Sequence, residues 1–145
     1  MLCATDPESL RASSTTGPEY LYLYAKALRD YHMLQWGDIV KTMLAAVKAT
    51  DPERPDVRDD EWALDLHVPE LETLIYMVTK DAKFGDSLKR AVDLHKKYWS
   101  KKKEYRLRDY RGFVSVPLTA LARMGLNNEL KFEVASPYIS RELLQ

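Results

Sequence analysis

The chain has 145 residues, of which 46% are hydrophobic, and its 22 basic side chains balance its 22 acidic ones. A chain of this size can bury one core of ordinary volume, so we expect a single folded domain rather than a disordered protein. The zero net charge excludes a general attraction to polyanions, and the lone Cys3 excludes an intrachain disulfide.

The N-terminal segment, residues 1–17, lacks the basic start and the apolar run of a signal peptide. We expect it to be flexible and to precede one helical domain over residues 18–145. The longest apolar run is shorter than the roughly 18 residues that a membrane-spanning helix requires. The sequence therefore predicts a cytoplasmic protein that has no membrane partner.

The first two predicted elements form a helical hairpin. Pro18 and Glu19 open the first helix, because proline is well tolerated in a first turn. Its apolar residues recur at spacings of three and four, at Leu21, Tyr24, Leu28 and Tyr31. This stripe is widened by Tyr20, Ala25 and Ala27, so the helix is predicted to be apolar on more than one side. Gly37 is predicted to break the run, and Asp38 to be the N-cap of the second helix.

Three further helices follow a loop with two prolines, at residues 50–57. We expect a short helical turn over residues 61–66, a third helix from Pro69, and a fourth from Asp81 or Asp86. The fourth helix has apolar and aromatic residues at helical spacing, namely Phe84, Leu88, Val92, His95 and Trp99. A fifth helix is predicted over residues 116–124, and Gly125 is predicted to end it.

The C-terminal segment, residues 129–134, alternates apolar and charged residues like a strand. No second strand candidate exists to pair with it, so we expect an extended segment that packs along a helix groove. The predicted fold class is all-α, with about five main helices in stacked antiparallel hairpins and this extended C-terminal segment.

The residue types that carry catalysis do not cluster in this sequence. No two of its three histidines are four residues apart, and five glycines are too few for a phosphate-binding loop. We therefore predict no enzymatic activity, no cofactor, no metal and no small-molecule substrate. His95 shares a helix face with Trp99, which favours a core histidine over a partner contact.

Two charge runs stand out against the neutral balance. Residues 51–61 hold six acids and two arginines, and residues 96–111 hold eight bases and two acids. One interpretation is that both are solvated and lie against each other. Another is that the acidic run occupies a basic cleft of a partner through Asp56, Asp59, Asp60 and Glu61. Nucleic-acid binding by the basic run is not favoured, because the standard motifs are missing.

Four motifs in the second half of the chain carry a family resemblance. In order they are D-x-x-F-x-x-x-L from Asp81, H-K-K-Y-W from His95, G-F-V-S-V-P-L-T-A-L-A-R-M-G from Gly112, and S-P-Y-I-S-R-E-L-L from Ser136. This order resembles the immunity protein 49 family of bacterial polymorphic toxin systems, best over residues 81–144. The resemblance implies a helical protein, encoded beside a toxin gene, that inhibits the toxin by direct binding.

The resemblance also implies candidate partner contacts and a leading function. Among the matching positions, we expect contacts at His95, Lys96, Tyr98 and Ser136. The predicted function is to bind a cognate toxin and occlude its active site or substrate groove. The alternatives are a tetratricopeptide-like scaffold that binds a peptide or protein, although no repeat of about 34 residues is present, or less favourably a nucleic-acid-binding domain. The sequence does not determine the oligomeric state.

Overall fold

The computed structural model describes residues 17–57, 60–101, 108–133 and 135–144, together with the single positions 9 and 106. It contains two compact units, Met1–Asp60 and Glu61–Gln145. Five α-helices of ten residues or more lie in this described part of the chain, which contains no β-strand. The predicted all-α class is confirmed.

The first unit contains the predicted hairpin, formed by α1 (Glu19–His32) and α2 (Ile39–Lys48). Tyr20, Tyr24 and Ala27 of the predicted stripe are buried, whereas Leu21 is exposed and the unpredicted Asp30 is buried. Several apolar stripes overlap in this helix, so spacing alone did not select the face that packs. The apolar residues buried in the two helices are Tyr20, Tyr24, Ala27, Ile39, Met43 and Ala46.

Helix α1 ends without the predicted glycine. Its last turn closes at Leu34, which adopts a left-handed φ of 58°, and the Gln35 N–H donates to the Asp30 carbonyl at 2.8 Å. This is the bond pattern of a Schellman motif, in which glycine is the usual residue. Gly37 follows outside the left-handed region, so the prediction that it breaks the helix was wrong. Asp38 occupies the predicted N-cap position of α2.

The second unit begins with one continuous helical run. A helical turn over Asp60–Trp62 continues as a π-helix over Ala63–His67 and then as α3 (Val68–Val78), so the predicted turn and third helix are joined. Helices α4 (Phe84–Ser100) and α5 (Val116–Asn127) pack against α3 and against each other. The buried side chains of these three helices include Leu71, Leu74, Met77, Phe84, Leu88, Tyr98, Trp99, Leu118 and Leu121.

The start of α5 and the C-terminal segment hold each other in place. The Ser115 hydroxyl accepts from the Leu118 N–H, and the Ser115 N–H donates to the Tyr138 carbonyl at 2.8 Å. In the described part of residues 129–134, Glu129 ends a turn at a left-handed φ of 61°, residues 130–133 form neither helix nor strand, and the Phe132 ring centre lies 5.2 Å from that of Phe84. Gly125 does not end α5, contrary to prediction; it lies inside the helix, where Phe84 packs against it.

Candidate functional site

The acidic run is largely engaged in contacts within the chain. Asp56 accepts from the Glu19 backbone N–H at 2.8 Å and from Arg54 Nε at 3.0 Å. The bond from the Glu19 amide, followed by the Arg54 guanidinium, lowers the pKa of Asp56 below its usual value. Asp56 therefore satisfies a free N–H of the first turn of α1 and keeps its negative charge doing so.

Glu61, at the other end of the acidic run, binds two cations of the basic run. Its Oε1 lies 2.9 Å from Lys101 Nζ, and its Oε2 lies 2.8 Å from Arg106. Hydrogen bonding to Glu61 raises the pKa of Lys101. Asp59 lies outside the described residues, as does the side chain of Asp60. At Glu61 the two charge runs do lie against each other, which was the first of the two interpretations.

The remaining described cations of the basic run are also mostly paired. Asp65 lies 3.6 Å from Lys97 and 3.5 Å from Lys101, and Asp109 binds the Arg111 guanidinium through both carboxylate oxygens. Because these charges already have protein partners, a phosphate backbone would have to displace them. This arrangement gives no support to nucleic-acid binding.

Tyr98 and Arg106 form a stacked pair below the surface. Arg106 is only 2% exposed, and its guanidinium carbon lies 3.6 Å from the centre of the Tyr98 ring. The same guanidinium donates to the Tyr98 carbonyl at 3.1 Å and to Glu61. Tyr98, a predicted partner contact, is itself buried. Because Arg106 stacks on Tyr98 and also binds Glu61, the pair connects α4 to Glu61.

His95 is buried beside two aromatic rings. It is 5% exposed, with ring centres 6.0 Å from Trp99 and 5.3 Å from Tyr138. Burial disfavours the charged imidazolium and lowers the pKa of His95 to about 4. Among the described residues, His95 Nε2 and Trp99 Nε1 are buried polar atoms without a hydrogen-bond partner.

Lys96 and Ser136, two further predicted contacts, lie together. They line a surface groove of about 400 Å³ between α4 and the C-terminal segment. Ser136 also stabilises the local turn, because its hydroxyl accepts from the Tyr138 N–H at 3.2 Å. The structure thus brings Lys96 and Ser136 together at this groove, whereas His95, from its buried position, contacts the Tyr138 ring.

A second cavity, of about 280 Å³, lies between the π-helix, α4 and residues 110–117. We call it the aromatic cavity; its lining includes Trp62, His67, Glu70, His95, Trp99 and Arg111. Trp62 Nε1 donates to His67 Nε2 at 2.6 Å, and an indole nitrogen can only donate. His67 Nε2 is therefore unprotonated, and Nδ1 donates to Glu70 at 3.2 Å.

Tyr110 and Val116 line the aromatic cavity and are exposed, and Phe113, between them in sequence, is exposed as well. Tyr110 is 79% exposed, Phe113 66% and Val116 67%. Residues 109–117 contain all three, and we call them the rim segment. Gly112 packs closely on the Trp99 ring, where an added Cβ would lie 3.1 Å away. The Arg111 guanidinium lies 4.9 Å from the Trp62 ring centre.

Sequence reasoning identified neither the aromatic cavity nor the rim segment as a site. One available signal was the apolar run Phe113, Val114 and Val116 just ahead of a helix start, where side chains are often uncovered. Another was the i, i+3 spacing of His67 and Glu70, which permits a hydrogen bond on one helix face. The burial of Arg106 could not be predicted from the sequence, because arginines are mostly exposed.

No group of side chains that could hold a metal ion, and no helix long and apolar enough to cross a membrane, occurs in the described part of the chain.

Three comparisons with known proteins address which family the chain belongs to. Comparison with curated proteins and with solved structures found no significant match. The family model of immunity protein 49 matches residues 1–143, which is nearly the whole chain. The chain therefore belongs to the immunity protein 49 family.

Proposed function

We propose that this chain is a cytoplasmic immunity protein that binds one cognate toxin and neutralises it by covering the toxin's active site or substrate groove. The observation that carries the proposal is membership of the immunity protein 49 family over residues 1–143. Steric occlusion requires no catalytic group in the immunity protein, only a surface that fits the toxin. The predicted absence of enzymatic activity is consistent with such a role.

The proposed interface is apolar at its centre. Exposed large apolar side chains that cluster usually mark interaction sites, and Tyr110, Phe113 and Val116 are all exposed within seven residues of chain. Stable complexes concentrate their binding energy in a few such residues surrounded by weaker contacts. Asp59, Asp60, Lys96 and Ser136 are proposed as contacts of this weaker, surrounding kind.

The test is rescue of toxin-expressing cells. The toxin encoded beside this chain is expressed alone, with this chain, and with an immunity protein of another toxin as the matched control. We expect growth only with this chain, together with a tight one-to-one complex on co-purification. Growth arrest in its presence and the absence of a complex would overturn the proposal.

The mode of inhibition needs a separate measurement. If the bound chain covers the toxin's active site or groove, it should compete with the toxin's substrate, and a toxin inactivated at its catalytic residue should still bind. Inhibition that raises substrate KM without a change in kcat is the expected result. A fall in kcat at unchanged KM would contradict occlusion while preserving the immunity function.

A further inference from the structure

The rim segment and the aromatic cavity combine an uncovered apolar surface with a preformed recess. The cavity volume is about 280 Å³, slightly below the roughly 300–1,000 Å³ typical of sites for whole small-molecule ligands. A recess of this size accommodates one large side chain. Two indoles, from Trp62 and Trp99, contribute to its walls, and aromatic walls bind apolar groups without loss of rotamer freedom.

The charged groups of the cavity favour an uncharged occupant. Glu70 accepts a hydrogen bond from His67, and the Arg111 guanidinium is bound by both oxygens of Asp109. A positively charged occupant would meet Arg111, and a carboxylate would meet Glu70. A carboxylate would find Arg111 already paired with Asp109, and a cation would have to enter beside the Arg111 guanidinium, so burying either charge in the cavity would cost free energy.

The exposed rim favours a protein over a small molecule as the partner. A ligand that fills about 280 Å³ would leave most of Tyr110, Phe113 and Val116 in water. A protein surface that inserts one side chain into the cavity would also cover the exposed Tyr110 and Val116 at its wall. That geometry is the usual one for a binding hot spot, with a central pocket and a ring of contacts that excludes water.

Two buried polar atoms add a second reason to expect an occupant. His95 Nε2 and Trp99 Nε1 have no hydrogen-bond partner within the described structure, and both residues contribute to the cavity wall. A buried donor without an acceptor costs about 1–3 kcal/mol. An occupant with a hydroxyl or amide oxygen at its tip could supply such an acceptor.

We propose that the rim segment and the aromatic cavity form the toxin-binding surface of this chain, and that the cavity receives one uncharged, predominantly apolar side chain of the toxin. This inference rests on the proposed function, because it names the contact surface for that function. It places the centre of the interface at the apolar residues 109–117.

The test compares two pairs of exposed apolar residues in the second unit. Phe113→Ser with Val116→Ser removes the rim contacts, and Leu126→Ser with Leu143→Ser is the matched control outside the rim segment. We expect the rim variant to bind the toxin at least about thirtyfold more weakly and the control to change affinity less than about threefold. Val116→Trp, which adds bulk at the cavity wall, should weaken binding at least about tenfold.

The outcomes separate this inference from the proposed function. If the wild-type chain binds the toxin and the rim variant binds it with the same affinity, the inference is wrong and the immunity function still holds. A wild-type chain that forms no complex overturns both. Amide hydrogen exchange of the wild-type complex decides the matter even if a variant misfolds: exchange should slow at residues 110–116, and unchanged exchange there overturns the inference.

Discussion

Composition suggests that the acidic run is available to a partner and that the rim segment is buried, but the structure shows the reverse for the residues it describes. Asp56 and Glu61 have the charge expected of an electrostatic contact, yet the structure uses Asp56 on the first turn of α1 and Glu61 on Lys101 and Arg106. Phe113 and Val116 have the character of core residues, yet both are uncovered. The difference teaches that composition gives the type of side chain, whereas availability to a partner depends on which contacts the chain has already formed.

The largest expected effect comes from removing Arg106, which binds Glu61 within the chain. Arg106→Ala should lower the free energy of unfolding of the second unit by about 3 kcal/mol, because it removes a buried cation that stacks on Tyr98 and holds Glu61. Urea unfolding measures this through the fluorescence of Trp62 and Trp99 in a Trp36→Phe background.

The matched control for Arg106 is Lys96→Ala, which removes a cation from the exposed face of α4. Surface changes of this kind usually alter stability by less than about 0.5 kcal/mol. If Arg106→Ala unfolds at the same urea concentration as Lys96→Ala, then the buried pair does not stabilise the unit, and the acidic run is freer for a partner than its contacts indicate.

The next effect is a pH dependence from His95 beneath the groove. Its pKa is about 4 in the folded chain and 6.5 in the unfolded one, so between these values the unfolded state binds more protons. Stability from the neutral imidazole is complete above pH 6.5 and is lost as the pH falls towards 4. We expect a loss of about 2–3 kcal/mol over that window.

Substitution isolates the His95 contribution from that of the titrating carboxylates. His95→Phe keeps an aromatic ring beside Trp99 and Tyr138 and should flatten the decline between pH 6.5 and 4. His32→Phe, at an exposed position, should leave the wild-type decline unchanged. Equal slopes in the two variants would show that His95 is protonated in the folded protein at higher pH than its burial implies.

The positions of the helices were predictable, whereas several details of their packing were not. Apolar spacing and proline positions located all five main helices, because the amphipathic period of a helix is visible in the sequence even when the surface it packs against is unknown. The same spacing did not select the face of α1 or reveal that residues 63–67 form a π-helix joined to α3. Both depend on which neighbouring surface each helix meets.

The candidate site was less predictable than the fold. The resemblance gave the family and singled out His95, Lys96 and Ser136, of which the structure brings Lys96 and Ser136 together at one groove. It could not show that Tyr98 lies under Arg106, because burial of a cation depends on Glu61, 45 residues away in sequence. The aromatic cavity likewise requires residues of three separate segments to meet, and no local pattern encodes that meeting.

A smaller effect tests whether stability and toxin binding can be separated. Gly125→Ala places a Cβ 2.5 Å from the buried Phe84 ring, which must shift, so we expect a loss of about 1–2 kcal/mol in the free energy of unfolding. Toxin affinity should stay within about threefold of wild type, because a folded Gly125→Ala chain keeps its rim segment. Gly37→Ala, with no atom within 4 Å, is the control and should leave stability nearly unchanged.

The result for Gly125→Ala is needed to interpret the affinities of the rim variants. If a core defect lowers toxin affinity as much as the loss of Phe113 and Val116 does, then weak binding reports the fraction of folded protein rather than the contact surface. Calorimetric unfolding and toxin titration on the same preparations separate the two. Low stability with normal affinity in Gly125→Ala, and the reverse in the rim variant, would assign binding to the rim.

The smallest expected effect concerns the acidic residues for which no internal partner is described. Asp59→Lys with Asp60→Lys should weaken toxin binding severalfold, in line with the ~0.2–1 kcal/mol of exposed charge contacts, and should make association less sensitive to salt. Asp56→Asn is the control, since Asp56 already serves Glu19 and Arg54. A change confined to the association rate would place these charges at the edge of the interface, where they guide the approach of the toxin while the rim segment holds it. Unchanged affinity and salt dependence in the double variant would instead remove the acidic run from the interface and leave the apolar rim as its whole basis.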